Sequence, residues 1–173
     1  MTPRQRAARF RKPTPVPARL RRPEPVGNRF SDVLLVGESP GPASDPFEPL
    51  DPRRSQGAAG RLARLLGQTP EEFERAYDRI NVFQTREEFE ARNPIPSYLL
   101  RPLSLYPVVI ALGRTAAKAI GLPPGYEWCV WYPSGDGFGG KRGAIPHPSG
   151  LNRWYNDEEA AERVREFVLG VLP

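Results

Sequence analysis

Short apolar runs that end in glycine alternate with helical segments along this 173-residue chain. That alternation predicts an α/β protein, a mainly parallel sheet with helices on both sides. Val33-Leu-Leu-Val36 and Tyr106-Pro-Val-Val-Ile-Ala-Leu112 are continuous apolar runs, as strands buried on both faces require, and Gly37 and Gly113 follow them directly. After Gly113, Arg114-Thr-Ala-Ala-Lys-Ala-Ile120 reads as a helix stopped by Gly121.

The remaining elements follow in order. Residues 1–29 hold Pro3, Pro13, Pro15, Pro17, Pro23 and Pro25 among arginines, a proline density that forbids helix and favours extended chain. We expect a basic arm there, extended or disordered, ahead of one domain over residues 30–173. A polar loop over 38–56 leads to a helix over 57–66, with Leu62, Leu65 and Leu66 on one face and Gly67 closing it. Thr69-Pro-Glu-Glu72 supplies an N-cap, a first-turn proline and a capping-box glutamate for a second helix, to about residue 78. A strand over 79–83 is followed by Thr85-Arg-Glu-Glu88, the same capping pattern at the head of a short helix. Residues 126–132 read as a further strand. A glycine-rich stretch over 135–143 carries Lys141 and Arg142, either as a phosphate-contacting loop or as an ordinary turn, and leads to an extended piece over 144–146. Asn156-Asp-Glu-Glu159 caps the last helix, which turns Val164, Phe167 and Val168 inward.

Composition excludes several classes of protein. The chain is 39% hydrophobic and 26% charged, the balance of a globular domain rather than of a disordered one. Cys129 is the one cysteine, so neither an intramolecular disulfide nor a multi-cysteine zinc or iron–sulfur site is available. No apolar run approaches the roughly 20 residues of a membrane span, and the N-terminus lacks the apolar core of a secretory signal. The expectation is a cytoplasmic monomer without membrane contact, metal or cofactor. Charge is uneven. Residues 1–30 hold nine of the 25 Lys and Arg and a single acid, Glu24, about +8, while the remainder sums to −3. Attraction to nucleic acid through net charge is therefore a property of the arm.

Ligands on parallel sheets bind at the carboxyl ends of the strands. Four places meet that rule here: residues 37–42, Asn81, Gly113 and residues 147–153. The only histidine, His147, lies in the last of them, bracketed by Pro146 and Pro148, which hold the backbone extended and restrict the imidazole.

Gly37-Glu-Ser-Pro-Gly41 and, 110 residues later, His147-Pro-Ser-Gly-Leu-Asn-Arg153 together resemble the paired signature of the uracil-DNA glycosylase superfamily. Asn81 at a strand end between them, and the Val-Ile-Ala-Leu-Gly strand and turn, add to the match. The resemblance covers about residues 31–170 and implies a three-layer α/β/α sandwich around a four-stranded, mainly parallel sheet. It implies an enzyme that flips a nucleotide out of DNA, duplex or single-stranded, and hydrolyses the N-glycosidic bond of uracil or a related pyrimidine. By position, Gly37, Glu38, Ser39, Pro40 and Gly41 would hold the attacking water beside the sugar. Asn81 would read the base edge, since an amide offers both a donor and an acceptor. His147 would donate a hydrogen bond to the departing base. Ser149 with nearby backbone amides of Gly150 and Asn152 would grip phosphate, Leu151 would wedge into the duplex, and Arg153 would contact the orphaned partner base.

The pattern departs from the family in three ways. Ser39 stands where the uracil-specific branch has an aspartate, so Glu38, shared with the iron–sulfur branch, becomes the candidate for positioning water. The four cluster cysteines of that branch are missing. Ser55 falls where a base-stacking phenylalanine is expected, and Phe47 in the same loop is the substitute. These departures keep two alternatives open: a viral-type base-modification enzyme or nucleotide-binding relative without uracil excision, and a nonspecific DNA-binding module carried by the arm. Trp154 and Tyr155, next to Arg153, either brace the wedge loop against the last helix or touch the DNA backbone.

Overall fold

The computed structural model of the chain describes residues 25–27, 31–41, 45, 48–90, 100–134 and 140–172. Within them run β1 (Val33–Gly37), α1 (Ala58–Leu66), α2 (Pro70–Ala76), β2 (Asp78–Asn81), α3 (Arg86–Glu90), α4 (Leu100–Leu105), β3 (Val108–Leu112), α5 (Arg114–Ala119), β4 (Trp131–Pro133), β5 (Lys141–Ile145) and α6 (Glu158–Leu169), with a 3-10 turn at Arg153–Asn156 before α6. The strands form one sheet in the order β2-β1-β3-β5-β4, parallel throughout except for β4 against β5.

Alternation along β1 shows how the layers form. Val33 and Leu35 point into a core with Leu62 and Leu66 of α1, Phe73 of α2 and Val164 and Val168 of α6. Leu34 and Val36 point the other way, into a core with Leu103 of α4 and Ala116 and Ala117 of α5. Side chains alternate across a strand, so continuous apolar runs are what a sheet covered on both faces needs. The result is an α/β/α sandwich. No helix among the described residues is long and apolar enough to cross a membrane.

The sheet has five strands among the described residues rather than four, and the added one is β4, antiparallel at the edge. The strand expected over 126–132 begins only at Trp131. Cys129 before it takes a left-handed backbone, φ 59°, which breaks the extended run, and Tyr126 and Trp128 pack edge to face within a turn. β5, in turn, starts three residues earlier than the extended piece expected over 144–146. Lys141 and Arg142 therefore belong to a strand and not to a loop. The Lys141 ammonium sits 4.7 Å from the centre of the Trp131 ring, and Arg142 Nη1 donates to the Ile120 carbonyl at 2.6 Å. Trp131 stacks on Phe167, ring centres 4.1 Å apart, and both crowd Gly143, where a Cβ would overlap the Phe167 ring. α4 has no counterpart in the sequence reading.

The helix caps follow their residues closely. Thr69 Oγ1 accepts from Glu72 N at 3.2 Å while Glu72 Oε2 accepts from Thr69 N at 2.7 Å, a complete capping box. Asp157, one residue into the expected quartet, caps α6 by accepting from Ala160 N at 3.0 Å. At the outer edge of β2, Val26 pairs antiparallel with Arg79 through two 2.8 Å backbone bonds, so the end of the segment assigned to the arm lies on the sheet. Residues 1–24 and 28–30, the rest of that segment, lie outside the described residues.

Candidate functional site

Three loops meet at the carboxyl end of the sheet. The β1–β2 ladder continues past the strands: Val82 N donates to the Gly37 carbonyl at 2.9 Å and Phe83 N to that of Glu38 at 3.0 Å. This fixes the backbone of Glu38 beside Asn81, which is paired with Gly37 in register. On the other side of the sheet centre, Gly113 N donates to the Ile145 carbonyl at 2.9 Å. Gly113, with φ 93°, lies directly against the imidazole, where a Cβ would come 3.1 Å from His147 Cβ and 3.4 Å from Cδ2. Its conformation is one that residues with a Cβ rarely adopt, and its bareness makes room for the ring.

The His147 loop is held by its own polar groups. The His147 carbonyl accepts from Ser149 N at 2.8 Å and from Asn152 Nδ2 at 2.9 Å, and Asn152 Oδ1 accepts from Trp154 N at 3.1 Å. Tyr155 donates its hydroxyl to the Pro146 carbonyl at 2.5 Å while its ring packs on the core. Of the two roles considered for Tyr155, bracing the loop is the one its contacts describe.

Glu38, Ser39, Pro40, Gly41, Asn81, His147, Ser149 and Gly150 all border one cavity of about 290 Å³. This is at the small end of ligand pockets. Asn81 is 6% exposed, and its Oδ1 has no hydrogen-bond partner among the described residues. A buried acceptor without a donor costs about 1–3 kcal/mol. Burial pushes the His147 pKa below its ordinary 6.5, and the nearby negative charge of Glu38 works in the opposite direction. The imidazole is therefore neutral at pH 7, one nitrogen a donor and the other an acceptor.

Gly37 does not border the cavity. A Cβ at residue 37 would collide with Asn81 Oδ1 and would come 2.9 Å from Leu50 Cδ2. Leu151 stands 94% exposed at the tip of its turn, and Arg153 is exposed as well. Asn152 is turned inward to the His147 carbonyl. Phe47 lies outside the described residues, and Ser55 is exposed.

Sequence reasoning missed another part of the lining, supplied by Leu50, Asp51, Arg54 and Gln56. Leu50 adopts a left-handed backbone, φ 54°. Asp51 Oδ1 accepts from Arg53 N at 2.9 Å, and Arg53 forks onto Glu74 of α2, tying the loop to the body. The Arg54 carbonyl packs on Gly60, where any Cβ would strike it. No motif marks these residues; only the Gly57-Ala-Ala-Gly60 helix start hints that a loop must fold close over α1.

Comparison with known proteins yields no matching family model and no matching curated sequence.

Proposed function

We propose that this protein is a DNA glycosylase that hydrolyses the N-glycosidic bond of uracil or a related damaged or modified pyrimidine. The observation that carries the reading is the meeting of Glu38, Asn81 and His147 around one small cavity, with the Asn81 acceptor buried and unpartnered among the described residues.

The chemistry follows from the groups. A uracil edge offers a ring N–H flanked by carbonyls; Asn81 Oδ1 accepts from that N–H and Nδ2 donates to a neighbouring carbonyl. As the bond between C1′ and the ring nitrogen breaks, its electron pair leaves with the base and the sugar gains oxocarbenium character. A neutral imidazole donates a hydrogen bond to the base carbonyl on which negative charge accumulates. Donors aimed at such a developing anion are worth about 3–4 kcal/mol each in comparable sites. Glu38 orients the water whose oxygen bonds to C1′ and takes up its proton. The base must first leave the helix, at a cost of a few kcal/mol. Leu151, exposed on its turn, fills the vacated step.

A single-uracil oligonucleotide treated with the protein and then hot alkali is expected to be cleaved at the uracil. Absence of cleavage at uracil, mismatched thymine, hypoxanthine and hydroxymethyluracil would overturn the reading.

Ser39 favours a second reading. A hydroxyl there cannot serve as a base at neutral pH, and a cavity relying on Glu38 alone also suits a protein that binds a flipped or free nucleotide without excision. Mass spectrometry of exposed DNA separates the two, because the second reading leaves every glycosidic bond intact.

A further inference from the structure

A second cavity, of about 340 Å³, shares Ser149 and Gly150 with the first and is bordered besides by Arg61, Arg64, Asn156 and Tyr155. Arg61 and Arg64 are three residues apart on α1, so their side chains rise from adjacent positions of one helix face. Like charges so placed repel. No carboxylate borders this cavity, and neither arginine forms an ion pair among the described residues.

Arg61 is also held in place. Its Nε donates to the Gln56 carbonyl at 3.2 Å and its Nη2 to Gln56 Oε1 at 3.1 Å. The guanidinium lies on the bare backbone of Gly150, where a Cβ would overlap Nη1, Nη2 and Cζ. Nη1 makes no hydrogen bond among the described residues. An arginine already oriented by neutral groups, with donors to spare beside a serine hydroxyl, is matched to a tetrahedral anion rather than to a carboxylate of its own chain.

We infer that this cavity binds one backbone phosphate of the nucleic-acid strand whose base enters the Asn81–His147 cavity. Arg61, Arg64 and Ser149 are its ligands. The inference rests on the glycosylase reading for the identity of the strand. The shared Ser149-Gly150 turn couples the two cavities: a phosphate held on one side of it sets how far the attached nucleotide reaches on the other.

The test uses the full chain and single-stranded oligonucleotides carrying one 2′-fluoro-2′-deoxyuridine, whose fluorine suppresses bond cleavage, with one neutral methylphosphonate moved through the phosphates around it. Dissociation constants come from fluorescence anisotropy, for wild type and for R64Q, an exposed position whose replacement leaves the core untouched. At one phosphate, neutralisation is expected to weaken wild type about tenfold and R64Q distinctly less, since Arg61 and Ser149 remain. The slope of log K against log salt should be shallower in R64Q by about 0.7, the share of one neutralised phosphate on a single strand. Equal penalties in both proteins at every phosphate, with equal salt slopes, would overturn the inference. So would loss of inorganic phosphate binding in R64Q without any change toward the oligonucleotide. If the same strand without uracil binds equally well and no base is released from its unfluorinated deoxyuridine counterpart, the glycosylase reading fails; the shallower salt slope of R64Q would still support the phosphate site.

Discussion

The side-chain amide oxygen of Asn81, Oδ1, occupies the space in which a side chain on Gly37 would begin. The two residues are register partners on adjacent parallel strands, and the absence of a Cβ on one lets the side-chain amide of the other, a residue that borders the cavity, lie across it. Gly37→Ala must therefore displace two side-chain ends, Asn81 Oδ1 and Leu50 Cδ2. We expect destabilisation of about 1–3 kcal/mol, as for other overpacked sites, measured by urea unfolding. Base selectivity should fall well beyond what that loss of stability explains. A variant that still discriminates uracil from thymine as wild type does would separate Asn81 from base reading.

His147 is the only histidine, so its titration can be followed by NMR without resolving it from others. Burial lowers its pKa and Glu38 raises it, which leads to two expectations. The observed pKa should lie below 6.5, and Glu38→Gln, which removes the opposing charge, should lower it further. A rise in the variant would show that the two groups do not face each other.

The same depression links stability to pH. The unfolded chain binds the proton at a pH where the folded chain does not, so this group's contribution is fully present above about 6.5 and is lost as pH falls through that value toward the folded pKa. The urea midpoint of wild type should drop over that interval, and the drop should be smaller in His147→Gln. An identical pH dependence in the two proteins would contradict the burial assigned to the ring.

Tyr155→Phe removes the donor to the Pro146 carbonyl while keeping the ring in the core. The expected loss is about 1 kcal/mol of stability, together with a less well ordered His147 loop. Excision should slow while its pH profile keeps its shape. Unchanged stability and rate would mean that the hydroxyl does not brace the loop.

Leu151 makes the opposite case. At 94% exposure its truncation to alanine should leave stability within about 0.5 kcal/mol. Excision from duplex DNA should nevertheless fall more than excision from single strands, because only the duplex has a gap to fill. Equal effects on both substrates would remove its role as a wedge.

Much of this architecture is legible in the sequence because the physical signals are local. Val33-Leu-Leu-Val36 and Val108–Leu112 are apolar on consecutive residues because both faces of the sheet are covered. Thr69 and Glu72 announce a helix start through a box that needs only four residues. Lys141 and Arg142 mislead because their heads reach a ring and a carbonyl beyond the strand, so a polar pair reads as loop. In the site, Glu38, Asn81 and His147 can be placed because each ends a strand or follows one. Leu50, Asp51, Arg54 and Gln56 cannot. Their convergence depends on a left-handed residue and on a carbonyl packed against a glycine, interactions with no sequence pattern of their own. Arg61 and Arg64 read as ordinary polar positions of a helix, and only the fold brings the Ser149-Gly150 turn against them.

The most direct measurement is the single-turnover rate of uracil release from a single-uracil strand by wild type, Asn81→Ala and His147→Ala, each first shown to be folded. Release by wild type, with each replacement slowing it about a hundredfold or more, is the expected result. No release by wild type, or equal rates in all three proteins, would contradict the assignment of this cavity to glycosidic bond cleavage.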